Sequence, residues 1–442
     1  MGLRDYIERL GDRGELKRVS APVSKRYESA AILNKLEPAP VLFENVQDNE
    51  FRVIGSLFPS KGTFADCFGI QVSGIIPLLS RAIENRSKPE VVESAACQQV
   101  VDLDPNLNRL PILKHFESDG GSYITSGVFV ARHPQHGQNL DFHRCMQFSP
   151  TEMAVRVVKG RHFDAFLEDL GHVDVAVCVG TPPNVLAAAA TSIGLGVDEL
   201  EIANALQPLQ VVRAKTVDLL IPAETEFVLE GTVYRDRRHA EGPFVDLTET
   251  QDVIRQEPVL VVRAITHRED AIWHALLPGG LEHKLLMGMP REPTIYKKVN
   301  QVVECLDVNV NPGGCSWLHA VVQIKKRATD DGMKAIRATF EGHRSCKHVY
   351  VVDEDIDIYD PLSVEWAMAT RFQGDGDMLV LARERGSSLD PSAEAGTHMT
   401  TKIGFDLTKP LGVDVRHYEK VAYPEVDVDK ILGGQGRRNG EL

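Results

Sequence analysis

One arginine and two carboxylates carry the most specific chemical signal in this chain. Arg144 closes the run Gln138-Asn139-Leu140-Asp141-Phe142-His143-Arg144, and well downstream Glu241 and Asp246 flank Gly-Pro-Phe-Val. Proline fixes φ and glycine permits tight backbone geometry, so the segment between the acids is a rigid elbow. Such an elbow can aim both acids at one cavity. Buried beside an arginine, their proton affinities would split, giving one permanently ionised partner and one proton carrier. That arrangement suits moving a proton onto a carbon next to a bound cofactor. A surface turn with two solvated acids is the alternative.

Two metal sets compete. Asn139, His162 and Glu201 supply an amide oxygen, an imidazole and a carboxylate, which suit a borderline ion such as Mn²⁺, with phosphate or water completing an octahedron. His133, His136, His143 and Cys145 form a local zinc-like constellation, although the flanking HPQHGQN is polar and turn-like, as exposed loop histidines would be. Further on, Pro278-Gly279-Gly280 leads into a helix start that brings His283, Lys284 and Arg291 together. Three potential cations there make a carboxylate or phosphate grip; a basic solvated helix face is the other reading. Phosphate loops are missing: there is no GxxxxGK[ST], and neither Gly194-x-Gly196 nor Gly434-x-Gly436 gains a third glycine at the right place. Any bound phosphate must therefore be held by side chains, a metal ion, or both.

The elements that must position these residues fall into three stretches. Before about residue 110, helical patterns (Asp5–Arg13, Ser29–Leu36) alternate with strands (Val41–Asn45, Arg52–Ser56, Gln99–Asp102), as in a small α/β domain. Short β-rich runs follow: Ile124–Ala131, Met153–Val158, Asp174–Val179, Gln210–Val212, Thr216–Leu220, Glu226–Val233 and Val259–Ile265. With helices at about 162–170 and 197–205, they suit an antiparallel barrel or sandwich. After that, strands (Ala320–Ile324, His348–Val352, Met378–Leu381) alternate with helices (Asp331–Glu341, Pro361–Thr370), which predicts a parallel or mixed sheet. The tail after Lys402 reads as a docking helix and a flexible end.

At 442 residues the chain needs two or three domains. A 43% hydrophobic, 25% charged composition is that of a soluble globular enzyme, and no run reaches the eighteen or so apolar residues that span a membrane. The start, MGLRDYIERLGDRGELKRV, is a charged amphipathic helix rather than a signal peptide. Seven scattered cysteines without a CxxC pair point to reduced thiols, hence a cytoplasmic protein. A net charge of −14, with Lys325-Lys326-Arg327 as the one basic cluster of note, argues against nucleic acid.

Taken in order, these pieces resemble the UbiD family of prenylated-flavin-dependent decarboxylases. The resemblance runs from LRDYIERL to THMTTKIGFD, and its specific parts are Asn139…Arg144…His162 and Glu241-Gly-Pro-Phe-x-Asp246. It implies a prenylated FMN whose phosphate is bridged by a divalent metal (Mn²⁺ or another ion) and K⁺. By position, Asn139, His162 and Glu201 match the metal ligands, while Arg144, Glu241 and Asp246 match the catalytic arginine and acids. Thr125, Arg161, Thr191, Ser192 and Ile193 fall where flavin-contacting residues sit, and Lys402 matches a phosphate-contacting lysine. The second acid, often Glu in the family, is Asp246 here, one methylene shorter. The implied fold is α/β (α+β): an N-terminal α/β domain (1–115), a central flavin-binding split β-barrel (116–305) and a C-terminal α/β oligomerisation domain with a mixed sheet (306–442).

The resemblance further implies reversible non-oxidative decarboxylation by a homo-oligomer, a hexamer or else a dimer, supplied with cofactor by a separate flavin prenyltransferase. Arg144 would hold the departing carboxylate, and Asp246 would donate the proton. His283, Lys284 and Arg291 suggest a second anionic group on the substrate, as in 2,5-furandicarboxylate, which would yield 2-furoate and CO₂. The alternative is a phosphorylated unsaturated acid, anhydromevalonate phosphate. Two other readings stay open: a catalytically silent flavin-binding subunit of a carboxylase, and a zinc hydrolase built on the histidine cluster.

Overall fold

The computed structural model describes residues 2–427 and Ile431. Helix Leu3–Asp12 buries Leu3, Tyr6, Ile7 and Leu10, one face of a 3.6-residue repeat. It is fastened by Arg4, whose Nε lies 2.7 Å from Glu226 Oε1 and whose Nη1 lies 2.6 Å from Asp270 Oδ2. The first sheet has four strands in the order Lys17–Val19, Val41–Phe43, Arg52–Gly55 and Ile272–His274. Its last strand comes from far along the chain and runs parallel to Arg52–Gly55. Helices Lys61–Cys67 and Ile75–Glu84, which the sequence reading did not anticipate, pack beside it.

At the centre a nine-stranded antiparallel sheet curls into a half-barrel. Two long strands, Phe227–Glu241 and Arg255–His267, form its spine. Their ladder shifts register at Glu230/Gly231 and again between Tyr234 and Arg238, and such bulges bend and twist a sheet. At the first shift only glycine fits, because a Cβ on Gly231 would stand 2.2 Å from Val261 O. Helix His162–Leu170 lays Phe163, Phe166 and Leu167 on the sheet and stops at Gly171, in the left-handed region at φ 75°.

Two expected strands are altered. Ile124–Ala131 divides into Ser122–Ile124 and Val128–His133, because Ser126 Oγ turns to donate to His274 O at 2.6 Å. Thr216–Leu220 is displaced to Leu220–Pro222; the buried Glu230 carboxylate instead gathers Lys215 N (2.8 Å) and Thr216 N (2.5 Å) into a turn.

The last sheet is mixed, as its rhythm predicts. Its five strands run Glu304–Asn309, His319–Lys325, His348–Val352, Met399–Asp406 and Met378–Arg385, with the two inner pairings parallel and the two outer ones antiparallel. Helices Asp331–Gly342 and Pro361–Arg371 cover it. In the tail after Lys402, where a docking helix was expected, the strand continues to Asp406 and a 3-10 turn spans Val415–Tyr418, with no α-helix through residue 427; residues 428–430 and 432–442 lie outside the described residues. No single helix among the described residues is long and apolar enough to cross a membrane.

Candidate active site

Arg144 directly precedes the strand Cys145–Gln147, and Glu241 is the last residue of Phe227–Glu241. Between Glu241 and Asp246 the chain turns at Gly242, φ 98°, and the elbow is clamped from outside: Gly120 N donates to Pro243 O at 2.8 Å, and a Cβ on Gly120 would lie 2.1 Å from Gly242 O. A two-stranded hairpin, Phe244–Val245 against Gln251–Asp252, then carries Asp246 on its turn.

These elements deliver three carboxylates, not two, to one guanidinium. Arg144 Nε and Nη2 grip Glu241 at 2.8 and 3.0 Å, Nη1 meets Asp246 Oδ2 at 2.5 Å, and Nη2 also reaches Asp252 Oδ2 at 2.9 Å. Glu241 is fully buried. The guanidinium lies 4.4 Å from the centre of the Phe244 ring. Burial works against the charged form of Arg144, but Glu241, Asp246 and Asp252 outweigh it and push its pKa up. Burial likewise works against the Asp252 carboxylate, yet Arg255 and Arg144 overcome it and hold it at about 2. Tyr123, whose oxygen accepts from Gly242 N at 3.1 Å, has its pKa pushed up by burial and by Glu241, so it stays protonated. Asp252 was not singled out from the sequence; an acid following Asp246 by six positions is a weak signal until the hairpin register is known.

The structure splits the expected grip. His283, on helix Leu281–Gly288, belongs with the acids: burial lowers its pKa, while Asp246 raises it and Arg144 lowers it. Its Nδ1 accepts from Gly279 N at 3.1 Å, which leaves the proton of the neutral ring on Nε2. Lys284 is drawn away by an ion pair with Glu249. Arg291 lies in the 3-10 turn Met289–Arg291, its Nη1 hydrogen-bonded to Ser192 Oγ and its guanidinium 5.1 Å from the Trp317 ring centre.

Around Arg291 stands a second pole of positive charge. Burial, and then Arg161, pull the Arg291 guanidinium down to about 10. Lys402, on the strand Met399–Asp406, donates to Arg344 O and is pulled down by burial. Burial, above all, pulls the His343 pKa down to about 3, and Arg291, Lys402 and Arg161 all act on it in the same direction. No carboxylate pairs with Arg161, Arg291 or Lys402 among the described residues. Thr191, Ser192 and Ile193 follow helix Pro183–Ala189 toward this pole, with Thr191 Oγ1 bonded to Ala187 O at 2.9 Å, and Thr125 lies at the break between the two barrel strands.

Asn139 and His162 meet: His162 Nδ1 is 2.9 Å from Asn139 Oδ1, and the buried Asn139 Nδ2 has no partner. Glu201 does not join them. Two residues along a helix is a rotation of roughly 200°, and on Glu199–Leu206 it is Glu199 that faces the site, accepting from Leu140 N at 2.7 Å. The Glu201 carboxylate makes no hydrogen bond or ion pair with Asn139 or His162 among the described residues. Glu199 is buried with no cationic partner, and burial pushes its pKa well up. An amide oxygen, an imidazole and a buried, uncompensated carboxylate fit a divalent cation.

The zinc alternative dissolves. His133 pairs with Asp169 at 2.8 Å and stacks on His136, whereas His143 is held by Arg156 O at 2.9 Å and by Asp141. Cys145 is buried, which pushes its thiol up. No group of three or more His, Cys, Asp or Glu forms a metal cluster among the described residues.

Three family models match the chain: the N-terminal domain of 3-octaprenyl-4-hydroxybenzoate carboxy-lyase over residues 7–83, its Rift-related domain over 90–281 and its C-terminal domain over 284–407. The anhydromevalonate phosphate decarboxylase of Methanothermobacter thermautotrophicus is 40% identical over 96% of this chain and 100% of its own length. Among solved structures, the UbiD-class enzyme HmfF from Pelotomaculum thermopropionicum in complex with FMN superposes with a TM-score of 0.94 at 34% identity, covering 98% of this chain and 100% of its own. An evolved dimeric form of HmfF in complex with prFMN gives 0.89 at 33% identity, over 96% and 97%.

Proposed function

This chain belongs to the UbiD family of prenylated-FMN-dependent decarboxylases, and from that premise we propose that it decarboxylates an unsaturated acid bearing a phosphate, anhydromevalonate phosphate, in preference to 2,5-furandicarboxylate. The observation that carries this is identity: a relative of that activity matches at 40% end to end, above the 34% shared with HmfF. Arg291, which pairs with no carboxylate among the described residues, supports it, since a phosphate monoester brings close to two negative charges and three acceptor oxygens at neutral pH.

The prenylated flavin, when bound, supplies the electron sink that makes loss of CO₂ from an unsaturated carbon feasible. Lys402, Arg161 and Ser192 would hold its phosphate, and Thr125, Thr191 and Ile193 would contact it. Asn139, His162 and Glu199 would hold the divalent ion. Arg291 takes the distal anion of the substrate, and His283 offers its Nε2–H between the two poles. Arg144 has five N–H donors and uses four on carboxylates, leaving one on Nη1. The substrate carboxylate takes that free Nη1 donor, and Asp246, having picked up a proton from solvent, delivers it to carbon.

Two results test this. Protein co-expressed with a flavin prenyltransferase turns over anhydromevalonate phosphate, and Arg291→Ala raises KM on the order of 100-fold through loss of a charge-assisted contact; faster release of CO₂ from 2,5-furandicarboxylate would return the reading to that acid. For the metal, Glu199→Gln lowers Mn²⁺ affinity ~10- to 100-fold while Glu201→Gln leaves it unchanged. A larger loss from Glu201→Gln in direct titration would restore Glu201 as the ligand.

A further inference from the structure

Glu241, Asp246 and Arg144 are accounted for above; the third carboxylate and its own arginine are not. Asp252 lies on the second arm of the hairpin in which Phe244 pairs with Asp252 and Val245 with Gln251, and Asp246 opens the turn between the arms. Asp252 Oδ2 receives Arg144 Nη2 at 2.9 Å and Arg255 Nη1 at 2.6 Å, while Oδ1 receives Val253 N at 2.8 Å. Arg255 sits directly across the ladder from Glu241. Facing the cluster are Arg144 and Tyr123 from the barrel, Glu241, Glu249, Asp252 and Arg255 from the hairpin and its flanks, and His283 and Lys284 from the helix.

Three carboxylates thus share two guanidinium groups. Glu241 is matched by Arg144 and Asp252 by Arg255, so one acid remains without a cation of its own. A guanidinium is planar, and fixing Nε and both hydrogens of Nη2 also fixes where Nη1 points. Here Nη1 points at Asp246.

We infer that Asp252 and Arg255 form a positioning pair: Asp252 locks the Arg144 plane, and Arg255 neutralises Asp252 so that it does not compete with Asp246 for Arg144. The inference rests on the reading of Arg144 and Asp246 as the reacting pair, but its geometry can be read without turnover.

The pair predicts a sign reversal that simple structural support does not. Arg255→Gln leaves Asp252 uncompensated and lowers kcat ~30-fold at nearly constant KM, whereas Asp252→Asn alone lowers it ~10-fold; the double variant recovers to about the level of Asp252→Asn. Arg255→Lys, which keeps the charge, retains most activity. Multiplying losses, on the order of 300-fold in the double variant, would overturn the pair. Independently of substrate, ¹⁵N-arginine spectra of the full chain, with Arg144 assigned by its loss in Arg144→Lys, should show hindered rotation about Cζ–Nη2. In Asp252→Asn those signals merge, and an unchanged spectrum also overturns the inference. Should the wild type turn over neither acid, the proposed substrate class fails while the spectra still decide the pair.

Discussion

Asp246→Asn lowers turnover by ~10³-fold or more and leaves bound flavin unchanged. General acid catalysis is worth about 10²- to 10⁴-fold, and an amide of the same shape has no proton to deliver from a carboxyl group. The hairpin should survive the change, because its backbone bonds, Asp246 N to Thr250 O at 3.1 Å and Glu249 N to Asp246 O at 2.8 Å, do not involve the side chain. Leu247 N, which donates to Asp246 Oδ1 at 2.7 Å, keeps an acceptor in the asparagine amide oxygen. The measurement pairs kcat with the visible spectrum of the purified holoenzyme. Wild-type turnover in a fully loaded variant removes Asp246 from the mechanism.

Arg144→Met has the largest effect on the fold itself. It strips both guanidinium hydrogen bonds from the fully buried Glu241 and the shared cation from Asp246 and Asp252. Breaking a buried pair from one side costs about 3–5 kcal/mol, because the remaining charge is left uncompensated. Denaturant unfolding checks this against the wild type. The sign with pH follows: in the variant the unpaired folded-state carboxyl holds its proton more tightly than the unfolded one, so it favours folding below the unfolded carboxyl's pKa and loses that effect as pH rises. The deficit should therefore narrow in acid. Arg144→Met with Glu241→Gln should recover part of the stability at neutral pH, though not activity; a deficit equal at every pH would show that packing, not charge, sets the loss.

Much of the site was legible because its chemistry is local. A Gly-Pro between two acids is stiff in any context, and Glu241 and Asp246 do converge on Arg144. Asp252 was not legible, because its place depends on the pairing of two-residue strands whose register sequence patterning does not fix. Glu199 and Glu201 lie on one short helix, and composition cannot say which turns toward Leu140; packing decides. The separate surroundings of Lys284 and Arg291 were not legible for a related reason. The helix was recognisable from its glycine start, but the 3-10 turn Met289–Arg291 at its end redirects Arg291 toward Ser192, and Glu249, far off in sequence, captures Lys284. In the fold, the alternation of strand and helix after residue 319 was readable. Helix Ile75–Glu84 was missed although Ile75, Ile76, Leu79 and Ala82 mark one face, because an apolar run of that length does not distinguish helix from strand.

The strand Ile272–His274 completes a sheet begun by residues 17–55. A growing polypeptide emerges from the ribosome at about 5–20 residues per second, so the open edge at Arg52–Gly55 waits roughly ten to forty seconds for its neighbour. Glu226 and Asp270, the anchors of Arg4, also arrive late. During that interval Val53 and Ile54, fully buried in the finished molecule, lie along an unpaired edge that invites other chains. Truncating the gene anywhere before codon 272 would make that vulnerability permanent, and expression yield rather than catalysis would register it first.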